Sequence, residues 1–175
     1  MLNVAKNNAV RQTPILFLTI EMSERALRGK LFQTFPGSTL TANKIIRGEL
    51  SEEQVAEMHR YSETISTWPF IIEEGAQTLS SVRAAIIRAR LHIPSLRLVM
   101  IDGLYVMTSD RDQKTDNRYQ EVSTISRGLK SMCSMKDLAC HIMVSHQFAK
   151  TQEARGTKRE LDRGSGAKPV MGDLR

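Results

Sequence analysis

Three polar side chains occupy equivalent places in this sequence, each just after a short apolar run. Glu21 follows PILFLTI, Asp102 closes the run RLVMID, and Gln147 comes shortly after a run that ends at Ser145. Two carboxylates and an amide suit the transfer of a phosphoryl group to water. Asp102 would hold magnesium through its water shell, Glu21 would orient and deprotonate the attacking water, and Gln147 would bond the terminal phosphate. The alternative is that all three are ordinary turn residues, and residue type alone leaves both interpretations open.

These side chains can act together only if the apolar runs before them are parallel strands of one sheet. The run 97–101 is apolar on both faces, which is typical of a strand inside a sheet covered by helices on both sides. Open sheets of this class bind their ligands beyond the carboxyl ends of the strands. We therefore expect an α/β fold with a mainly parallel sheet, and Glu21, Asp102 and Gln147 on one edge of it.

Hydrophobic spacing and capping signals predict the elements that alternate along the chain. Strands are predicted at 14–20, 69–73, 97–102 and 140–145, and helices at 1–10, 23–35, 51–66, 80–91 and 118–135. Ser23 is placed to cap one helix, and Ser51 with Gln54 has the spacing of a capping box. The predicted inward positions of the last three helices are Val55, Met58, Ser62 and Ile65, then Val82, Ala85, Ile86 and Ala89, then Val122, Ile125, Leu129 and Met132.

Composition indicates a globular chain with a basic surface. The 175 residues are 41% hydrophobic, enough for one domain with a core, and 5% aromatic, which argues against a base-stacking surface. A net charge of +6 is compatible with a polyanionic partner. The spacing of Cys133 and Cys140 fits no standard zinc site, and two cysteines without a signal peptide favour a reducing, cytoplasmic setting. We find no apolar run long enough to span a membrane.

The last 26 residues differ from the rest. Residues 150–175 contain four glycines, seven basic and four acidic side chains, and no hydrophobic periodicity. We therefore divide the chain into a core at 1–149 and a basic loop at 150–175.

Five segments, taken in order, resemble motifs of the DnaB-type replicative DNA helicases. The helix NRYQEVSTISRGLK at 117–130 is the most specific match, being close to the family's NRQQEVSEISRSLK. The other segments are FLTIEMS at 17–23, which looks like SLEMS, LVMIDGLYVM at 98–107, which resembles the Walker B strand IVIDYLQLM, and SHQFAK at 145–150 and KPVMGDLR at 168–175, which are similar to SQLSR and RPMMSDLR. LNVA at 2–5 also looks like the helix that follows the family's phosphate loop.

The resemblance implies part of a RecA-like P-loop ATPase core that uses ATP and Mg²⁺. It implies translocation on single-stranded DNA and duplex unwinding in replication, by a homo-hexameric ring in which nucleotide binds between neighbours, with primase and a helicase loader as possible partners. Arg127 would lie at a subunit interface or in a surface salt bridge. The basic loop would face DNA or, since acidic residues are interspersed, simply be solvated; its candidate DNA-binding residues are Lys158, Arg159, Arg163, Lys168 and Arg175.

The chain also departs from the family pattern. The Walker A loop, G-x-x-x-x-G-K-[ST], is absent, Gly103 and Tyr105 stand where the Walker B motif has Tyr and Gln, and His146 interrupts the Ser-Gln pair. The loop's amides and lysine cradle the phosphates. We therefore expect the chain to be a fragment of a helicase motor or a truncated gene product, and to hydrolyse ATP negligibly by itself.

Two other functions remain open from the sequence alone. A strand-exchange recombinase or a clock-type ATPase is built on a similar sheet, although the helix at 118–130 favours the helicase. A non-hydrolysing module that binds DNA or joins a ring would also explain the basic charge. A dinucleotide-binding enzyme is disfavoured, because no G-x-G-x-x-G turn follows any predicted strand.

Overall fold

The computed structural model of the protein describes residues 1–110, 117–136 and 138–146. Within these ranges the strands are β1 (Ile15–Thr19), β2 (Phe70–Glu74), β3 (Leu98–Asp102) and β4 (His141–Ser145). The helices are α1 (Leu2–Ala9), α2 (Glu24–Phe32), α3 (Ala42–Arg47), α4 (Glu52–Ser66), α5 (Leu79–His92) and α6 (Arg118–Ser134), with a 3-10 turn at Leu104–Val106.

The four strands form a parallel sheet in the order β2-β1-β3-β4, so the predicted parallel α/β fold is confirmed. All five residues of β1 are buried, because this strand has a neighbour on each side and helices on both faces. The chain goes from β1 to β2 on one side of β1, then to β3 on the other side. The direction in which successive strands are added to the sheet therefore reverses between β1 and β3. Parallel sheets of this kind bind ligands in the crevice at the carboxyl ends of the two strands where this reversal occurs.

Alternate residues of the central strands supply two separate hydrophobic layers. Leu16 and Val99 pack with α5 and α6 on one face, whereas Phe17 and Met100 pack with α1 and α2 on the other. The predicted inward positions of α5 and α6 are confirmed, since all of them are buried. Helices on both faces explain why these strands are apolar throughout rather than alternating.

The face predicted for α4 is confirmed only in part. Val55, Met58 and Ile65 are half-buried, and Ile65 packs against the core, but Ser62 is exposed. The residue of this helix that is buried is Glu57, which the spacing of apolar residues did not indicate. The Glu57 carboxylate accepts a 3.1 Å hydrogen bond from the Thr39 backbone N–H and another from the Thr39 hydroxyl. The hydroxyl bond is the main cause that lowers the pKa of Glu57. A buried carboxylate is tolerated because it is hydrogen-bonded as an anion.

Capping explains where the helices begin. The predicted cap at Ser23 and the capping box of Ser51 and Gln54 are confirmed. The structure adds α3, which the hydrophobic spacing did not predict. This six-residue helix begins at the cap Thr41 and ends at Gly48, whose φ of +71° favours glycine.

Both cysteines are free thiols, and burial is the main cause that raises the pKa of Cys140 to about 11. Among the residues that the structure describes, no helix combines the length and the apolar character that crossing a bilayer requires.

Candidate active site

The structure places Glu21 and Asp102 at the same edge of the sheet. Asp102 is the last residue of β3 and pairs with Thr19, the last residue of β1. The backbone N–H of Ile20 donates a 3.4 Å hydrogen bond to the Asp102 carbonyl, so the two chains stay together past the end of β1. Glu21 follows directly and is exposed, whereas Asp102 is half-buried. The two carboxylates therefore flank the crevice between β1 and β3.

The Asp102 carboxylate is oriented by Ser145, the last residue of β4. The Ser145 hydroxyl donates a 2.6 Å hydrogen bond to Oδ1 of Asp102 and accepts a 3.0 Å bond from the Gly103 backbone N–H. Because a hydroxyl has one hydrogen, the N–H behind it directs that hydrogen toward the carboxylate. Sequence reasoning missed this role, although Ser145 lies opposite Asp102 in the parallel register that the fold predicts.

Gly103 turns the chain over the edge of the sheet. Its φ is +114°, a conformation that side chains with a Cβ rarely adopt. A Cβ there would lie 3.6 Å from Val106 and 3.8 Å from Ile20, which is ordinary contact. Backbone conformation, rather than lack of space, therefore favours glycine at this position. The 3-10 turn follows at once, with Leu104 fully buried beneath it and Tyr105 half-buried.

The 3-10 turn brings Tyr105 to Glu21. A hydrogen bond to the Glu21 side chain is the main cause that raises the pKa of Tyr105 to about 12. Burial and the negative charges of Glu21 and Asp102 act in the same direction. The phenol therefore stays protonated at neutral pH. Sequence reasoning noted Tyr105 only as a departure from a motif, because the contact depends on the left-handed turn at Gly103.

Side chains in the first turn of α6 form hydrogen bonds with the backbone of the segment that follows β3, residues 105–109. Arg118 donates to the carbonyl of Tyr105 and, at 2.8 Å, to that of Met107. It also forms an ion pair with Glu121, whose Oε1 accepts a 2.7 Å bond from the Ser109 N–H. That backbone bond is the main cause that lowers the pKa of Glu121. Arg118 and Glu121 both belong to the segment 117–130, so this motif helps to position the turn that carries Tyr105.

The other residues predicted for the site are placed differently. Arg127 is exposed on α6 and forms no salt bridge with any residue that the structure describes. His146 is half-buried, and burial together with the positive charge of Arg118 lowers its pKa. Gln147, Lys158, Arg159, Arg163, Lys168 and Arg175 lie outside the described residues, as does the predicted boundary between 149 and 150.

The donor set at this edge suits magnesium bound largely through water. Mg²⁺ keeps several waters and is commonly held by one or two carboxylates together with substrate phosphates. Asp102 offers such a carboxylate, with Oδ1 anchored by Ser145 and with no described residue donating to Oδ2. In the described ranges no cluster of three or more His, Cys, Asp or Glu side chains could hold a metal ion. Asp102, water and phosphate oxygens therefore form the fitting set.

Solved structures share this fold. A DnaB-like replicative helicase, described together with its interactions with primase, has a TM-score of 0.70 at 23% identity over 97% of this chain and 41% of its own. A second solved structure, described as an ATPase domain, has a TM-score of 0.72 at 23% identity over 98% of this chain and 60% of its own. This similarity shows that the chain has the RecA-like fold of helicase ATPase domains.

Curated relatives match along the sequence. The probable replicative DNA helicase of Trieres chinensis is 27% identical over 176 residues, 99% of this chain and 36% of that protein. The replicative DNA helicase DnaB of Synechocystis sp. is 27% identical over 175 residues, 99% of this chain and 18% of that protein. The chain thus spans well under half the length of either relative. The sequence model of the DnaB-like helicase C terminal domain matches residues 1–175, and the chain therefore belongs to that family.

Proposed function

We propose that this chain is the ATP-hydrolysing motor region of a replicative DNA helicase, which couples hydrolysis to movement along single-stranded DNA and to unwinding. The observation that carries the proposal is the position of Glu21 and Asp102, at the carboxyl ends of adjacent parallel strands on either side of the switch point. Family membership supports the same activity, since relatives of this chain are named replicative DNA helicases.

In this proposal the two carboxylates divide the work. Asp102, held by Ser145, would hold a Mg²⁺ ion through its water shell, and the ion would supply positive charge beside the phosphates. Glu21 takes a proton from the water whose oxygen forms the new bond to the γ-phosphorus. The bond from that phosphorus to the bridging oxygen breaks, and ADP leaves. Gln147 is proposed to contact the γ-phosphate.

The proposed site lacks a phosphate-binding loop within these residues. The 175 residues contain no G-x-x-x-x-G-K-[ST] sequence, so neither the amides nor the lysine of such a loop act within them. Activity measurements on this site therefore belong in the full-length product of the gene that contains this chain.

We also propose the partners of the family for the whole protein. Single-stranded DNA fits the net charge of +6 and the basic residues of the segment 150–175. A hexameric ring would use exposed Arg127 at the boundary between subunits. Primase is proposed as a partner because a helicase of similar fold was described with its primase interactions. A helicase loader and a cytoplasmic location complete the proposal.

A forked DNA substrate and a strand-exchange substrate test this function side by side. We expect the full-length product to unwind the fork in the presence of Mg²⁺ and ATP, and expect the Glu21→Gln variant not to. Strand exchange without unwinding would instead indicate a recombinase. Salt-sensitive DNA binding that is independent of nucleotide, with no ATP hydrolysis, would indicate a module for binding or ring assembly.

A further inference from the structure

The connection that carries Glu21 is short, and the residues on both sides of Glu21 are packed. Only residues 20–22 separate the end of β1 from the helix cap Ser23. Ile20 packs against the hydrophobic layer that contains α5 and α6, whereas Met22 packs against the layer that contains α1 and α2. Glu21 lies between them in sequence and is exposed. Its backbone is therefore anchored by two neighbours that contact opposite faces of the sheet.

Thr19, the last residue of β1, closes this connection with its side chain. The Thr19 hydroxyl donates a 2.8 Å hydrogen bond to the carbonyl oxygen of Met22, the residue directly after Glu21. Thr19 is 1% exposed, so little water competes for this bond, and its β-branched side chain has few rotamers. A buried donor in a restricted rotamer therefore holds the carbonyl next to the exposed carboxylate.

Backbone contacts hold both ends of the connection against β2. The carbonyl of Thr19 accepts a 3.2 Å hydrogen bond from the N–H of Gly75, which follows β2. The N–H of Glu24, at the start of α2, donates a 2.7 Å hydrogen bond to Oε2 of Glu74, the last residue of β2. The bond from the Thr19 hydroxyl to Met22 spans the residues between these two fixed points, and Glu21 is among them.

We propose that Thr19 is a positioning residue, whose hydroxyl fixes the backbone from which Glu21 reaches the attacking water. This inference rests on the proposed role of Glu21 as the proton acceptor and adds the group that holds it in place. A displacement of about 1 Å in a reacting group can cost about 10²-fold in rate. Since the Thr19 hydroxyl is buried beneath the connection, its loss should affect the chemical step rather than the binding of nucleotide.

Two substitutions separate the hydroxyl of Thr19 from its shape. Thr19→Val keeps the β-branched side chain but cannot donate, whereas Thr19→Ser keeps the donor, and Ser is the residue that the motif SLEMS has at this place. Thr34→Val is the matched control. The Thr34 hydroxyl donates a 2.6 Å hydrogen bond to the carbonyl of Leu31, also three residues away, just after the far end of α2.

The first experiment tests the contact on the 175-residue chain and needs no hydrolysis. Met22-Ser23 is the only Met-Ser pair in the sequence. Labelling with carbonyl-¹³C methionine and ¹⁵N serine therefore gives a single amide-to-carbonyl NMR correlation, which reports the Met22 carbonyl. We expect Thr19→Val to shift this carbonyl resonance, because its donor is lost, and Thr34→Val to leave it unchanged. The same carbonyl shift in wild type and Thr19→Val would overturn the proposal.

The second experiment measures ATP hydrolysis by the full-length product. We expect Thr19→Val to lower kcat about 10-fold to 100-fold with the KM for Mg²⁺-ATP within about twofold, since substrate binding is not the step affected. Thr19→Ser should keep kcat within about threefold of wild type, and Thr34→Val should match wild type.

Combining the substitutions tests whether Thr19 acts through Glu21. In the Glu21→Gln background, Thr19→Val should change the rate by no more than about twofold, because the group that Thr19 positions is already absent. Single-turnover phosphate release, with enzyme in excess over ATP, measures these slow rates. Losses that multiply when the two substitutions are combined would indicate a purely structural role for Thr19 and would overturn the inference.

The outcomes separate this inference from the proposed function. If Thr19→Val keeps full kcat while Glu21→Gln loses activity, the positioning role is wrong and the function stands. Equal loss in Thr19→Val and Thr19→Ser, or a change in KM alone, would also overturn the role, because packing or substrate binding would then matter. If Glu21→Gln keeps full kcat, the proposed function fails.

Discussion

Ser145 and Asp102, 43 residues apart in the chain, are joined by a 2.6 Å hydrogen bond from the serine hydroxyl to Oδ1. The pairing of β3 with β4 creates this contact, because it places the last residues of the two strands side by side. The same hydroxyl accepts the Gly103 N–H, so one side chain links the acid, the turn after it and the neighbouring strand. The pairing of β3 with β4 therefore determines the orientation of the Asp102 carboxylate.

Ser145→Ala should weaken the use of magnesium by the full-length product. The variant leaves the Gly103 N–H and one Asp102 oxygen without their partner, and loss of such a supporting contact typically costs about 10-fold to 100-fold in metal affinity. We expect the Mg²⁺ concentration for half-maximal ATP hydrolysis to rise by about that factor. Ser134→Ala, at the exposed end of α6, is the control. An unchanged Mg²⁺ dependence would show that Ser145 does not orient a metal-binding group.

Glu121→Gln should destabilise the chain at neutral pH but not in acid. The folded state lowers the pKa of Glu121 from 4.5, chiefly through the Ser109 N–H and also through Arg118. The stabilisation is thus fully present above pH 4.5 and is lost as the pH falls through the lowered pKa. We expect the wild type to exceed the variant by about 1.5–3 kcal/mol in free energy of unfolding at pH 7, which is the contribution of a hydrogen bond to a charged group.

Urea unfolding at pH 7 and at pH 3 measures this difference. Glu53→Gln, at an exposed position of α4, is the control and should show no comparable change with pH. A difference between wild type and Glu121→Gln that is equally large at both pH values would contradict the proposed charge dependence.

The 175-residue chain alone should hydrolyse ATP negligibly. Without a phosphate loop it lacks the groups that position the triphosphate and neutralise its charge, and these effects provide most of the catalysis of phosphoryl transfer. The measurement is phosphate release by the purified chain with Mg²⁺ and single-stranded DNA. Mg²⁺-dependent turnover that disappears in Asp102→Ala would contradict this expectation.

The basic segment 150–175 should contribute to the affinity for single-stranded DNA through its own charged residues, beyond the effect of the net charge of the chain. Removal of one cationic partner of a DNA phosphate should reduce the salt dependence of binding by about 0.7 in the slope of log K against log salt. We expect a variant with Gln at Lys158, Arg159, Arg163, Lys168 and Arg175 to bind more weakly and with a flatter slope.

A charge-matched variant provides the control for the basic segment. It carries Gln at five exposed basic residues elsewhere, namely Arg11, Lys30, Lys44, Arg47 and Arg60. Its net charge falls by the same amount, so weaker binding caused by net charge alone would affect both variants equally. Equal affinities in the two variants, or an unchanged affinity after truncation at Lys150, would exclude the assigned role.

Residue patterns predicted the elements whose burial follows from local spacing. The central strands are apolar on both faces, and α5 and α6 repeat apolar residues at helical intervals, so their positions and inner faces followed from the sequence. The burial of Glu57 on α4 did not, because it depends on a contact with Thr39, 18 residues away. No helical period contains that information.

In the candidate site, too, some features could be predicted from the sequence and others could not. The shared edge of Glu21 and Asp102 follows from parallel strand order, which the alternation of strands and helices indicates. The conformation of the segment that carries Tyr105 could not be predicted, since it needs the left-handed turn at Gly103 and the hydrogen bonds from Arg118, 13 residues further along. Ser145 was within reach of prediction once the register of β3 and β4 was known.

The most direct test of the account is the rate of Mg²⁺-dependent ATP hydrolysis by the full-length product carrying Glu21→Gln, compared with Glu24→Gln. Glu24 lies one helical turn further along the chain, in an exposed ion pair with Arg28, and is the matched carboxylate. The account predicts that Glu21→Gln lowers kcat about 10²-fold to 10⁴-fold while ATP still binds, and that Glu24→Gln behaves as wild type. Equal kcat in Glu21→Gln and wild type would contradict it.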